Sequence, residues 1–144
     1  LRRAAVVVLL GALSITLSGC ADGYLFRNDH RISIDTPGSF ATVHQPMVVR
    51  WTASGFQAPR DGSFAVYFDL APPPPGQTVG DVPPLQRRLV RVVNATQVEA
   101  PAFTHDSSTT GPLQDHHEIT VVLLDRDGRR ISETAGYVEF DVST

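Results

Sequence analysis

The sequence predicts an all-β domain of about seven strands, preceded by an apolar, helical N-terminal leader. Three observations carry this. No stretch after residue 20 shows the 3.6-residue apolar period of a helix. Several short segments instead alternate apolar and polar residues, as half-buried strands do. Between them fall turn-formers drawn from 11 prolines and 11 glycines.

The first segment is different. Arg2 and Arg3 precede an apolar run from Ala4 to Leu17, broken only by Gly11, Ser14 and Thr16. That run is shorter than the roughly 20 residues needed to span a bilayer, and it fits the apolar region of an export signal. Residues 1–19 are therefore read as a signal peptide. Residues 20–30 are polar and irregular and read as a tether, and residues 31–144 as one folded domain.

Within that domain, Arg31–Asp35 alternates and stops at Thr36-Pro37-Gly38. Met47–Ala53 places Met47, Val49, Trp51 and Ala53 on one face. After the Pro59–Gly62 turn, Ser63–Leu70 places Phe64, Val66, Phe68 and Leu70 inward and Ala65, Tyr67 and Asp69 outward. Pro72–Pro75 lacks amide donors, so it leaves the sheet as an extended surface segment. Leu85–Val93 and Thr96–Phe103 read as further strands, and Thr104–Asp115 as a polar loop. His117–Asp125 and Ile131–Val142 are the strongest strands. Asp127-Gly128 between them predicts a two-residue hairpin loop. That loop sets Leu124 opposite Ile131 and His117 opposite Val138, with a bulge at Gly136 as the one irregularity that would shift the far end. Ile119, Val121 and Leu123 then share the inward face with Val138, Phe140 and Val142.

The same register puts Tyr67, Val122, Leu124, Ile131 and Tyr137 together on the outer face, edged by Asp69, Glu133 and Glu139. An apolar centre with an acidic rim is a candidate protein-binding face. Its rivals are an ordinary solvated sheet and a sheet covered by the proline-rich loop.

Other candidate chemistry is sparse. His105, His116 and His117, with Asp106 and Asp115, are the one cluster with metal-ligand residue types. Adjacent His116 and His117 point to opposite faces of a strand, and His117 falls in the inward set, which argues against a site. Asp125-Arg126-Asp127-Gly128 starts like a calcium loop but has Gly136 where the closing glutamate belongs. No catalytic constellation, phosphate loop or cofactor motif is present, so the reading is non-enzymatic with no cofactor. Formal net charge is −3, all 12 basic residues are arginine, and no basic stripe appears; this argues against nucleic acid as a partner.

Two resemblances complete the reading. Leu17-Ser18-Gly19-Cys20 resembles the lipobox of bacterial lipoproteins. The resemblance implies cleavage before Cys20 and acylation of its thiol, and hence attachment to a membrane on the exported side of a bacterial cell envelope. Met47–Ala53, Phe64–Phe68 and the terminal hairpin resemble an immunoglobulin-like or fibronectin type III-like β-sandwich, with Trp51 at its centre. The chain departs from that pattern in lacking paired cysteines and a tyrosine corner. Together the resemblances imply a membrane-anchored binding or structural module of the uncharacterised envelope-lipoprotein kind. Its expected partners are the lipid bilayer, through the Cys20 acyl chains, and an envelope protein. An accessory subunit of a larger envelope complex and an exported metal-binding protein are the alternatives.

Overall fold

The computed structural model describes residues 31–104 and 115–143, so Leu17, Ser18, Gly19, Cys20 and His105 lie outside it. Alternation and turn residues divide the described chain into eight strands. They are β1 (Ile32–Thr36), β2 (Ala41–His44), β3 (Val48–Ala53), β4 (Ser63–Phe68), β5 (Val90–Val93), β6 (Gln97–Glu99), β7 (His116–Leu124) and β8 (Arg130–Ser143). Among the described residues the only helical turns are two short 3₁₀ segments, Val79–Asp81 and Arg87–Leu89. No helix there is long and apolar enough to cross a membrane.

The strands form two sheets, one of order β1-β3-β6 and one of order β2-β8-β7-β4-β5. All neighbours run antiparallel except β2, which pairs with β8 in parallel. Inward residues of both sheets meet in one core: Ile32, Met47, Val49 and Trp51 from the first face Phe64, Val66, Phe68, Ile119, Val121, Leu123, Val138, Phe140 and Val142 from the second. The inward set read from alternation is the core set with one correction: Leu70, beyond the end of β4 and the turn at Asp69, packs on the other face of the sheet.

The second sheet is covered on its other face as well. Residues 70–89 cross it as a strap. Leu70, Val79 and Val82 lie over Ala65, Tyr67, Val90, Val122, Leu124 and Ala135. The prolines do not pair with the sheet, but the residues beside them do. Gly76 N–H donates to Arg130 O and Arg130 N–H to Gln77 O, both at 2.8 Å. The Arg130 guanidinium, 4% exposed, donates through Nη1 to Pro73 O at 2.7 Å. Burial lowers its pKa, with Glu133 and Tyr67 acting in the opposite sense. Strands covered on both sides need apolar residues on both sides, which is why Val121–Leu124 shows no alternation.

The hairpin differs from the expected one. Its loop has three residues, Arg126-Asp127-Gly128, rather than two. Asp125 N–H donates to Arg129 O at 2.9 Å and Gly128 N–H to Asp125 O at 3.1 Å, and Gly128 takes φ +75°. The Asp125 carboxylate favours this turn by accepting the Asp127 and Arg129 amides, each at 2.9 Å. Leu124 then faces Arg130, and regular pairing resumes at Val122 opposite Ala135. The irregularity thus falls at Ile131–Thr134, not at Gly136, which pairs normally with Val121. Ser132 takes φ +65° there, and its hydroxyl donates to Thr134 Oγ1 at 3.0 Å. Beyond the bulge Phe140, not Val138, faces His117. That is a slip of two residues from the expected register, and an even slip keeps every side chain on its face.

Three smaller differences have local causes. β2 forms between the Pro37-Gly38 and Pro46 breaks, where no strand was expected. Leu85–Val93 begins as a 3₁₀ turn because Pro83 O and Pro84 O capture the amides of Gln86 and Arg87. β6 ends at Glu99, two residues before the donor-less Pro101.

The turn before β4 is held by Asp61. Its carboxylate accepts both ends of the Arg60 fork at 2.9 Å and the Gln57 amide at 2.8 Å. The Arg60 hydrogen bonds, then the Gln57 amide, hold its pKa down to about 2. An unfolded carboxyl titrates near 3.9. The stabilisation is therefore complete above about pH 4 and is lost as pH falls through about 2. Asp61→Asn should lower the urea midpoint at pH 7, and the two proteins should converge near pH 2. Coincident midpoints at pH 7 would show that the turn does not need the carboxylate.

Candidate functional site

The residues expected to share one exposed face are dispersed. Tyr67, Val122 and Leu124 are fully buried beneath the strap. Ile131 is carried by the bulge to the sandwich core, where it packs half-buried. Tyr137 is half-buried on β8, and its phenol lies 2.9 Å from Glu118 Oε2 and 2.7 Å from Glu139 Oε1. Burial, followed by these two carboxylates, pushes its pKa well up. The expectation of an exposed apolar docking face is thus corrected, because the chain supplies its own cover.

His116 and His117 point to opposite faces and take different partners. His116 Nδ1 lies 3.0 Å from Asp141 Oδ1, and its Nε2 3.7 Å from Glu139 Oε2. His117 Nδ1 lies 2.8 Å from Asp69 Oδ2. Among the described residues no group of three or more histidines, cysteines or carboxylates is placed to hold a metal ion.

The His117 pair belongs to a built site. β4 ends at Phe68, and Asp69 turns the chain with φ +50°. Its amide donates to Glu118 O at 3.0 Å, and its Oδ1 accepts the Glu118 amide at 2.9 Å. Asp69 is thereby clamped to β7 with its second oxygen on the His117 ring. A carboxylate accepts, so Nδ1 carries the proton in this bond. The other ring nitrogen has no partner among the described residues.

The His117 side chain is 12% exposed and packs against Phe103, ring centroids 4.4 Å apart, and Phe140, 5.9 Å. Phe103 is itself fixed. The Gln45 amide brackets its backbone, donating to Phe103 O at 2.9 Å and accepting Phe103 N–H at 2.7 Å. Beside this ring stack opens a cleft of about 260 Å³, walled by Asp69, Leu89, Pro101, Phe103 and His117 and flanked by Arg88 and Arg91. Arg91 donates through Nη1 to Arg88 O at 2.7 Å and Val90 O at 3.1 Å.

Of this site the sequence singles out His117, in a metal-type cluster, and Asp69, on an acidic rim, each for a different chemistry. Arg88, Arg91 and Phe103 lie in segments whose pattern gives no face. The one available signal was the inward parity of His117, since a histidine on a core face needs a polar partner.

No protein family, curated protein or solved structure matches this chain.

Proposed function

We propose that this chain is a lipid-anchored protein of a bacterial cell envelope whose folded part is a non-catalytic binding module. The observation that carries the anchor is Leu17-Ser18-Gly19-Cys20, standing in order behind Arg2-Arg3 and the Ala4–Leu17 apolar run. Small residues before the cut and a thiol directly after it are what lipid transfer and cleavage require. Each buried acyl methylene contributes about 0.8 kcal/mol, so two or more chains hold a domain firmly at a membrane surface.

An immunoglobulin-like identity for the domain is supported by its strand order. The early strands divide between the sheets: β1 joins β3 and β6, while β2 runs parallel to the last strand, β8. Trp51 lies between the sheets, as the resemblance implies. A binding role is supported by the Asp69–His117 cleft. Docking as an accessory subunit loses its proposed face to the strap, and a metal-binding role finds no ligand set among the described residues.

The anchor is tested by expressing the full chain in a bacterium with radiolabelled palmitate. Wild type is expected to take up label and to sediment with membranes, and Cys20→Ala to do neither. Label persisting in Cys20→Ala would overturn the proposal.

A further inference from the structure

We propose that the cleft beside His117 binds a small organic anion, a carboxylate or phosphate borne on an apolar or aromatic body. This names a ligand class for the binding role proposed above; it does not depend on lipid attachment.

Charge is the first argument. Two guanidiniums flank the cleft, and neither is paired with a carboxylate among the described residues. The Arg91 guanidinium bonds only to backbone carbonyls, which leaves its remaining N–H donors unspent, and the Arg88 guanidinium has no hydrogen bond or ion pair among the described residues. The one lining carboxylate, Asp69, already has both oxygens engaged, by His117 and by the Glu118 amide. In a chain of formal net charge −3, a recess lined by two arginines and one carboxylate keeps a local excess of positive charge that sets it apart. The guanidinium fork matches the two oxygens of a carboxylate or phosphate.

The second argument is shape. Leu89, Pro101 and Phe103 give an apolar wall, and the Phe103–His117 stack offers a surface for a flat group. A volume of about 260 Å³ suits a metabolite-sized ligand, near the lower end for such pockets.

Preorganisation is the third. Gln45 fixes Phe103, Asp69 fixes His117, and Glu118 fixes Asp69. The ring stack is thus ordered before binding, which lowers the entropic cost of using it; the Arg88 side chain is what binding still has to order.

The test is titration calorimetry of the detergent-solubilised full chain with benzoate, phenyl phosphate and inorganic phosphate. Saturable binding of benzoate or phenyl phosphate is expected, tighter than inorganic phosphate. Arg88→Gln with Arg91→Gln should weaken it by at least about tenfold, with an unchanged thermal midpoint. Arg50→Gln removes an exposed arginine from the other sheet and should leave it unchanged. Phe103→Leu should weaken the aryl ligands and spare inorganic phosphate. Vesicles of phosphatidylglycerol should not compete; displacement by them would overturn a free small anion in favour of a lipid headgroup. No saturable binding by either aryl anion, or equal affinity in the double arginine variant, would overturn the proposal outright. Palmitate labelling at Cys20 is unaffected by any of these results, so failure here and failure of the anchor are separable.

Discussion

Gly62→Ala is expected to cost about 3–5 kcal/mol, a large part of the about 5–15 kcal/mol that holds a single domain folded. Gly62 is buried immediately before β4, at φ +146°, a conformation that residues with a Cβ rarely adopt. An added methyl would fall inside contact distance of the Leu124 carbonyl oxygen, 2.9 Å from its carbon and 3.0 Å from that of Asp125. Those atoms are backbone, and Leu124 is held on both sides. It pairs with Ser63 of β4, and its side chain is 1% exposed beneath the strap. Neither strand can yield without opening the sheet or the covering layer. Gly38→Ala is the matched control: open space surrounds its added Cβ, and the change should stay within about 0.5 kcal/mol. Urea unfolding followed by the fluorescence of Trp51, the single tryptophan, measures both. A wild-type midpoint for Gly62→Ala would mean that the approach of β4 to Leu124 is not what fixes this corner.

The same corner shows what the sequence could and could not reveal. Alternation in Met47–Ala53 and Ser63–Phe68 identified the core because each residue's face follows from position alone. The hairpin register was set wrongly by Asp127-Gly128, since nothing local announces that Asp125 will accept two amides and lengthen the loop. The core assignment survived because the slip was even. Ile131 did not survive, because it lies inside the bulge, where parity is lost.

The outer face failed for another reason. Tyr67, Val122 and Leu124 were rightly placed on one side of the sheet. Whether that side meets water depends on where residues 70–89 travel, and prolines that forbid pairing do not forbid packing. Arg130 tethers that segment from across the sheet, 57 residues from its acceptor at Pro73. The ligand cleft was hidden likewise: Asp69 and His117 stand 48 residues apart, and only the folded β4–β7 register brings them within 2.8 Å.

Trp51→Ala is the second large effect, with an expected loss of about 3–5 kcal/mol. The ring is 2% exposed, packs edge-to-face on Phe64 with centroids 5.4 Å apart, and lies where the two sheets meet. The only cysteine is Cys20, so the domain has no internal disulfide to share the load. A single domain has about 5–15 kcal/mol of stability in all, and this loss removes a large part of it. Trp51→Phe should behave differently. It keeps a ring in the site, and it deletes an indole N–H that is buried without a hydrogen-bond partner among the described residues. An unpaired buried donor costs about 1–3 kcal/mol, which offsets part of the lost contact area. The net loss should stay under about 2 kcal/mol. Far-UV circular dichroism in urea, which does not need the tryptophan, compares the two variants. Equal losses would show that the indole N–H carries no penalty in this core and that ring size alone sets the contribution of Trp51.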